Sequence, residues 1–259
     1  MAGKTLAIWA SEGAKPEVLY WVGCAASFDD RAQRIARAFT KLLDKAGVSW
    51  GILGTEESCT GDPAKRAGND FLFQMLALQN IQTLNAYEVK TIVATCPHCF
   101  NVLRNEYPQL GGNYEVWHHS QYLMHLIQSG RLQVNGGIDG VVVYHDPCYL
   151  GRGNGEYEAP REVLRRAGAR LKEAPRSRDF ALCCGAGGAQ MFKEPEPGNK
   201  DINIERTEEL LALQPDRIAV GCPFCMTMIT DGTKHAGVYG KVLVQDIAEY
   251  LAEALGLIG

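Results

Sequence analysis

Short runs of apolar residues alternate along this chain with longer segments in which apolar residues recur at helical spacing. The short runs are bounded by turn-forming residues and have the length and composition of buried parallel strands. The predicted strands are 17–22, 90–95, 140–145 and 216–220, and the predicted helices are 30–46, 70–86, 160–167 and 200–213. This alternation predicts an α/β fold made of Rossmann-like units, in which helices cover parallel sheets.

Each of the four predicted strands runs directly into a cysteine. The cysteines that follow the strands are Cys24, Cys96, Cys148 and Cys222. Ligands of parallel α/β sheets bind at the carboxyl ends of the strands, so we expect these cysteines to face a binding site. Two of them begin a Cys-Pro-x-Cys motif, in which proline suits the first turn of a helix and the exposed amides favour a thiolate.

The cysteines also repeat along the chain. At an offset of 124–126 residues they form four matched pairs, which are Cys24 and Cys148, Cys59 and Cys183, Cys96 and Cys222, and Cys99 and Cys225. The ninth, Cys184, has no counterpart, because Thr60 stands at that place in the first half. A repeat of this kind indicates two copies of one unit. We therefore predict two domains, 1–135 and 136–259, with the boundary in a Gly-rich turn.

Composition narrows the class of protein. Of the 259 residues 46% are hydrophobic, enough for a packed core, and a net charge of −4 lacks the basic excess of a general nucleic-acid binder. No apolar run reaches the roughly 18 residues that a membrane span needs, and the apolar N-terminal stretch is too short for a signal peptide. The sequence therefore predicts a soluble cytoplasmic protein. Nine cysteines in that reducing compartment are not expected to form a disulfide framework.

Three kinds of chemistry could use these thiols. Structural zinc takes four ligands, usually as two close pairs, and the first half offers four thiols whereas the second offers five. A thioredoxin-like dithiol would need one Cys-x-x-Cys pair and would leave three thiols of the second half without a role. An iron–sulfur cluster takes thiolates from scattered loops. The spacing favours an iron–sulfur cluster and leaves zinc and a metal-free site open.

The second-half motifs resemble the cysteine-rich CCG domain. The stretches that carry the resemblance are His145-Asp-Pro-Cys-Tyr-Leu-Gly-Arg152, Cys183-Cys184-Gly185 and Cys222-Pro-Phe-Cys225. This domain occurs in the B subunit of heterodisulfide reductase and in iron–sulfur subunits of glycolate, lactate and glycerol-3-phosphate oxidation. The resemblance covers nearly the whole chain as two tandem copies.

The resemblance implies a ligand set for each half. For the second half it implies a noncubane [4Fe-4S] cluster on five cysteines, which are Cys148, Cys183, Cys184, Cys222 and Cys225. The first half departs from the pattern at Thr60 and would hold a cubane cluster, zinc or nothing on Cys24, Cys59, Cys96 and Cys99. A hydroxyl is a poor replacement for a soft thiolate toward iron.

The resemblance also implies a function and partners. The chain would be an electron-transfer subunit of a heterodisulfide-reductase-like or dehydrogenase complex, or would carry out redox chemistry on a small thiol or disulfide. No ferredoxin-type cysteine run and no nucleotide-binding glycine fingerprint occurs in it, so a ferredoxin-like subunit is expected as a partner, with a flavoprotein or a quinone-linked membrane subunit. The protein would then lie at the membrane periphery. The opposing hypothesis is a zinc-stabilised scaffold that binds partners and carries no electrons.

Three further side chains are candidates near the cysteines. His145 is a possible catalytic proton donor beside the second-half site. Asp146, which precedes a proline, is expected to be a turn residue. His98, inside the first Cys-Pro-x-Cys motif, is expected to be solvated.

Overall fold

A computed structural model describes residues 3–194 and 197–258 of the chain. It has an α/β fold that divides into two compact units, Met1–Leu132 and Gln133–Gly259. Each unit contains one sheet in which all strands run parallel. The α/β class and the two parallel sheets predicted from the sequence are confirmed. Within the described ranges, no helix combines the length and the apolar character needed to cross a membrane.

The strands of the first unit are β1 Lys4–Thr5, β2 Val18–Trp21, β3 Trp50–Ile52, β4 Thr91–Ala94 and β5 Glu115–His118, and those of the second are β6 Val141–Tyr144, β7 Arg170–Lys172, β8 Arg217–Val220 and β9 Leu243–Asp246. The α-helices are α1 Leu6–Ser11, α2 Gly23–Phe28, α3 Asp30–Lys45, α4 Asp62–Arg66, α5 Asp70–Ala86, α6 Pro97–Asn101, α7 His119–Gln128, α8 Gly151–Asn154, α9 Glu158–Arg166, α10 Ile202–Leu211, α11 Pro223–His235 and α12 Ile247–Ala254. A π-helical turn covers Val102–Glu106, and 3₁₀ turns cover Gly54–Glu56, Tyr107–Leu110, Arg178–Phe180 and Gln190–Phe192.

The two sheets have the same strand order apart from one additional edge strand. The first sheet runs β1-β3-β2-β4-β5 and the second β7-β6-β8-β9. Tyr20 pairs with Val93 in the first sheet, and Tyr144 pairs with Ala219 in the second. Each tyrosine lies four residues before the first cysteine of its repeat, so the register of the strands reproduces the sequence repeat.

Buried central strands explain the apolar runs of the sequence. All four residues of β2 are buried, and three of the four residues of β4, β6 and β8 are buried. The predicted helix 30–46 is α3, which buries one apolar face and begins where the Asp29 side chain accepts a hydrogen bond from Ala32 N at 2.7 Å. It ends before Gly47, whose φ of +65° is a conformation that favours glycine.

Close packing of α10 on α11 fixes the helix that carries the last cysteine. A Cβ atom at Gly232 would lie 2.0 Å from Thr207 Oγ1 and 2.6 Å from Thr207 Cβ. Gly232→Ala therefore forces the two helices apart, and we expect it to lower the free energy of unfolding by about 1–3 kcal/mol. Urea unfolding followed by circular dichroism measures this change. Asp231→Ala, at the exposed neighbouring position, is the control. Equal stability of the two variants would contradict the packing.

Candidate metal centre

The five cysteines of the second unit come from three segments that meet beyond the carboxyl ends of the central strands. Cys148 lies in the turn after β6, and Cys183 and Cys184 lie in the loop between β7 and α10. Cys222 is the N-cap of α11 and Cys225 lies in its first turn. Pro223 occupies the first position of this helix, where its missing N–H costs nothing.

Side-chain contacts link all five sulfurs into one group. The Sγ atoms of Cys184 and Cys225 lie 3.3 Å apart. Further thiol contacts join Cys148 to Cys183, Cys183 to Cys184, and Cys222 to Cys225. Cys184, Cys222 and Cys225 are buried, whereas Cys148 and Cys183 are half-buried, so one side of the group is open. Within the described residues, none of the five takes part in a disulfide bond.

Contacts between the thiols lower the pKa of one cysteine and raise the pKa of its neighbours. The pKa of Cys183 is lowered because its sulfur accepts hydrogen bonds from the Cys148 and Cys184 thiols and from Gly185 N at 3.3 Å. The pKa of Cys184 is raised to about 12, chiefly by its contact with Cys183, and that of Cys148 is raised by the same neighbour. Five such thiols cannot ionise together unless cations compensate their charge. The donor set therefore fits a soft metal or a metal–sulfide cluster.

The first unit gathers its four cysteines in the same way. Cys24 lies in α2 after β2, Cys59 lies in the loop before α4, Cys96 is the N-cap of α6, and Cys99 lies in that helix. Contacts join Cys24 to Cys59 and Cys96 to Cys99, and Cys24 lies within electrostatic range of Cys96. The pKa of Cys59 is lowered to about 7 by hydrogen bonds from the Cys24 thiol and from Gly61 N.

Thr60 stands where the second unit has a sulfur. The Thr60 hydroxyl donates to Cys99 Sγ at 3.9 Å, as Cys184 contacts Cys225 in the second unit. Thr60 is 1% exposed, so no outside ligand reaches that position without a rearrangement. The first site therefore has four thiols and one buried hydroxyl.

Adding a fifth thiol to the cysteine group of the first unit should give it the properties of the group in the second unit. In Thr60→Cys a thiol replaces the hydroxyl beside Cys99, so we expect the first unit to acquire the spectroscopic signature of the second. For a paramagnetic cluster in the second unit, the corresponding EPR signal per chain should then about double, since two equal sites would contribute. Thr60→Ser, which keeps a hydroxyl, is the matched control. An unchanged signal in Thr60→Cys would show that a fifth thiol is not what distinguishes the two sites.

His98 is buried, so the prediction that it is solvated was wrong. Its side chain lies against α4, with Nδ1 3.4 Å from Asp62 Oδ2. Asp62 is itself buried and also accepts from Arg66 Nε at 3.0 Å. The sequence shows the helix that carries His98 but not the second helix that covers it, which is why its burial was missed.

In each unit a carboxylate connects the cysteine loops through hydrogen bonds, and this carboxylate is half-buried in the first unit and buried in the second. In the first unit, Glu57 accepts from Val22 N and Gly23 N, and burial raises its pKa to about 7. In the second unit, Asp146 accepts from Arg178 N at 2.8 Å and is paired with the fully buried Arg161. Sequence reasoning missed Glu57 and Arg161 and assigned Asp146 to a turn. In the structure Asp146 is buried and joins two loops through its hydrogen bond from Arg178 N and its ion pair with Arg161.

His145 lies at the end of β6, beside the second cysteine group. One of its ring nitrogens and the sulfurs of Cys184 and Cys225 all lie within 4.8 Å of one another. Its Nδ1 accepts from Arg206 Nε at 3.1 Å. Burial and then the Arg206 charge lower the pKa of His145 to about 3, so the ring is neutral at physiological pH. Arg206, which is also fully buried, was not identified from the sequence.

Comparison with known proteins gives a family and several relatives. The family model described as CCG, cysteine-rich domain, matches residues 18–104 and 142–230. The chain is 47% identical over 250 residues to an EtfAB:quinone oxidoreductase of Syntrophomonas wolfei, a match covering 94% of this chain and 35% of that protein. It is 46% identical over 245 residues to FadF, a probable iron-sulfur-binding oxidoreductase of Bacillus subtilis, with the same coverage of 94% and 35%.

A third relative belongs to the dihydromethanophenazine:CoB–CoM heterodisulfide reductase of Methanosarcina barkeri. The chain is 34% identical over 250 residues to the D polypeptide of that enzyme, with 94% of this chain and 60% of that polypeptide covered. This chain therefore spans about a third to three fifths of the length of these relatives. Among solved structures, a hypothetical protein from Helicobacter pylori matches 95% of this chain and 50% of its own, with a TM-score of 0.63 and 10% identity, which shows likeness of fold alone.

The two segments that match the family model make up more than half of the chain, and each contains one of the two cysteine groups. This protein therefore belongs to the CCG cysteine-rich domain family and carries two tandem copies of the domain.

Proposed function

We propose that this chain is an iron–sulfur electron-transfer subunit of a multi-protein oxidoreductase. The observation on which this rests is the gathering of five thiols in the second unit, in which mutual contacts join every sulfur to at least one other. A tetrahedral zinc ion takes four ligands, so one of these five thiols would have no role in a zinc site. The names of the relatives agree with the proposal, since they describe oxidoreductases and one is called iron-sulfur-binding.

The finer proposal assigns a noncubane [4Fe-4S] cluster to the second unit. The residues that would hold it are Cys148, Cys183, Cys184, Cys222 and Cys225. When bound, such a cluster supplies reversible one-electron transfer. The chain itself would exclude water on the inner side, where Cys184 and Cys222 are buried, and leave the side of Cys148 and Cys183 open toward an electron partner. Gly185 N, which donates to Cys183 Sγ, would offset part of the thiolate charge.

For the first unit we propose a four-thiolate site that holds a cubane [4Fe-4S] cluster or zinc. Four thiols are the number that either group takes. The site would be electronically different from the second one, because the buried Thr60 hydroxyl stands in place of a fifth sulfur. A mechanism that needs two equivalent clusters is therefore not proposed for this chain.

The proposed partners supply and remove electrons. We propose a ferredoxin-like iron–sulfur protein or segment as the neighbour in the electron chain, with a flavoprotein on one side and a quinone-linked membrane subunit on the other. The names of the relatives support this, because one is called an EtfAB:quinone oxidoreductase and another is part of a heterodisulfide reductase. The proposed location is the cytoplasm at the membrane periphery, since nine cysteines without a disulfide among the described residues suit a reducing compartment.

Anaerobic purification followed by reduction tests the proposal. The full chain is expected to be brown, to bleach when dithionite is added, and to show an EPR signal in one of its two redox states. The opposing function, a zinc-stabilised scaffold, would give a colourless protein that contains zinc and does not change with dithionite. That result would refute the electron-transfer function.

A further inference from the structure

The ring of His145 is held in one tautomer. Arg206 Nε donates to His145 Nδ1 at 3.1 Å, and an arginine guanidinium keeps its protons in proteins. Nδ1 must therefore carry a lone pair, and the neutral ring must carry its hydrogen on Nε2. A histidine ligates a metal only through a nitrogen without a proton, so Nε2 is not available as a metal ligand while Arg206 is in place.

The Nε2–H of His145 is a buried donor beside the cysteine group. His145 is 1% exposed, and Nε2 has no hydrogen-bond acceptor within residues 3–194 and 197–258. A buried donor left without an acceptor is destabilising, because it has lost its hydrogen bond to water and gained none in return. The sulfurs of Cys184 and Cys225 and one ring nitrogen of His145 all lie within 4.8 Å of one another, so the ring lies beside the group that these cysteines would hold.

The first repeat has a ring N–H at the equivalent position. Trp21 follows Tyr20 as His145 follows Tyr144, and both tyrosines have equivalent partners in the adjacent strand. Trp21 is also 1% exposed, and its Nε1–H likewise lacks an acceptor in the described part of the chain. An indole nitrogen can donate a hydrogen bond but cannot bind a metal. The shared property of the two positions is thus a buried N–H donor three residues before a cysteine.

We propose that His145 donates an Nε2–H hydrogen bond to a sulfur of the iron–sulfur cluster in the second unit, with its tautomer fixed by Arg206. This inference rests on the proposed function. His145 is then neither a ligand nor the proton source that the sequence suggested. A hydrogen bond to cluster sulfur stabilises the more negative, reduced state and so raises the reduction potential.

Spectroscopy of the unaltered protein tests the hydrogen bond directly. The full chain is labelled with ¹⁵N-histidine, and its paramagnetic state is studied by electron–nuclear double resonance in H₂O and in D₂O. We expect a weakly coupled proton that exchanges in D₂O and no strongly coupled histidine nitrogen. A strong ¹⁵N coupling would show that His145 is a ligand, and the absence of any exchangeable proton coupling would show that the hydrogen bond does not exist.

Redox titration of variants tests the effect on potential. His145→Phe keeps a ring but removes the N–H, and at a fixed potential near the midpoint we expect the ratio of reduced to oxidised cluster to fall about tenfold, or about 59 mV for one electron. His145→Gln, which restores an N–H, should recover part of the shift. Trp21→Phe is the matched control and should leave the second-unit signal unchanged.

The outcomes separate this inference from the proposed function. A wild-type protein without iron and sulfide would refute the proposed function and this inference with it. An iron-loaded His145→Phe with an unchanged midpoint potential would refute the inference alone. If His145→Phe fails to retain its cluster, the double-resonance measurement on the wild-type protein still decides the question.

Discussion

Replacing Cys184 with serine is expected to abolish the EPR signature of the cluster proposed for the second unit and to convert that site to the four-thiol type of the first unit. Cys184 is buried, with its sulfur 3.3 Å from Cys225 Sγ, so a hydroxyl at this position would face the same neighbour that Thr60 faces in the first unit. A hydroxyl is a harder ligand than a thiolate and binds iron less well in a sulfur environment. The measurement is EPR with iron analysis on anaerobically purified protein.

Cys59→Ser is the matched control, because it removes a thiol from the first unit only. It should leave the second-unit signal alone while changing any signal of the first unit. If Cys184→Ser and Cys59→Ser both leave the spectrum as it is in the wild type, the five-thiol assignment is wrong. If both abolish the same signal, that signal cannot be assigned to the second-unit thiols alone.

Arg161→Met is expected to cost about 3–5 kcal/mol of the free energy of unfolding of the second unit. Arg161 is fully buried and makes a two-bond ion pair with Asp146, at 2.7 and 2.9 Å, and a second such pair with Glu173. Removal of its charge leaves the Asp146 carboxylate buried with one backbone donor, Arg178 N. Since Asp146 lies two residues before Cys148, cluster retention should fall as well. Chemical unfolding measured at equal iron content gives the stability change.

The control for this substitution lies on the same helix. Arg166 is 57% exposed at its side chain and pairs with Glu162 across one turn. Exposed pairs of this kind contribute about 0–1 kcal/mol, so Arg166→Met should change the stability little. A loss in Arg161→Met no greater than that in Arg166→Met would mean that the buried ion pair does not hold the cysteine loops.

The positions of the cysteines could be predicted because they depend on local and repeated features. The apolar runs that precede Cys24, Cys96, Cys148 and Cys222 are buried strands, and strand ends of a parallel sheet lie at one edge. The constant offset then predicted that both halves would repeat the same arrangement. It also marked Thr60 as the point where the two sites differ.

Other parts of the fold could not be predicted, because the sequence has no clear local pattern there. Strand β7, of sequence Arg-Leu-Lys, has two exposed residues of three, and β3 contains a glycine, so neither forms an apolar run. The partners of Arg161 and Arg206 are likewise set by contacts between distant segments. His145 is 61 residues from Arg206 in sequence, so its tautomer follows only from the folded chain.

Counting iron, acid-labile sulfide and zinc in the anaerobically purified full chain tests the central claim most directly. The account predicts about four iron and four sulfide per chain for the second unit, with additional iron and sulfide or one zinc for the first. Removing the second set by Cys222→Ser together with Cys225→Ser should lower the iron count by about four and leave the first-unit metal in place. One or two zinc ions per chain with no sulfide would contradict the account.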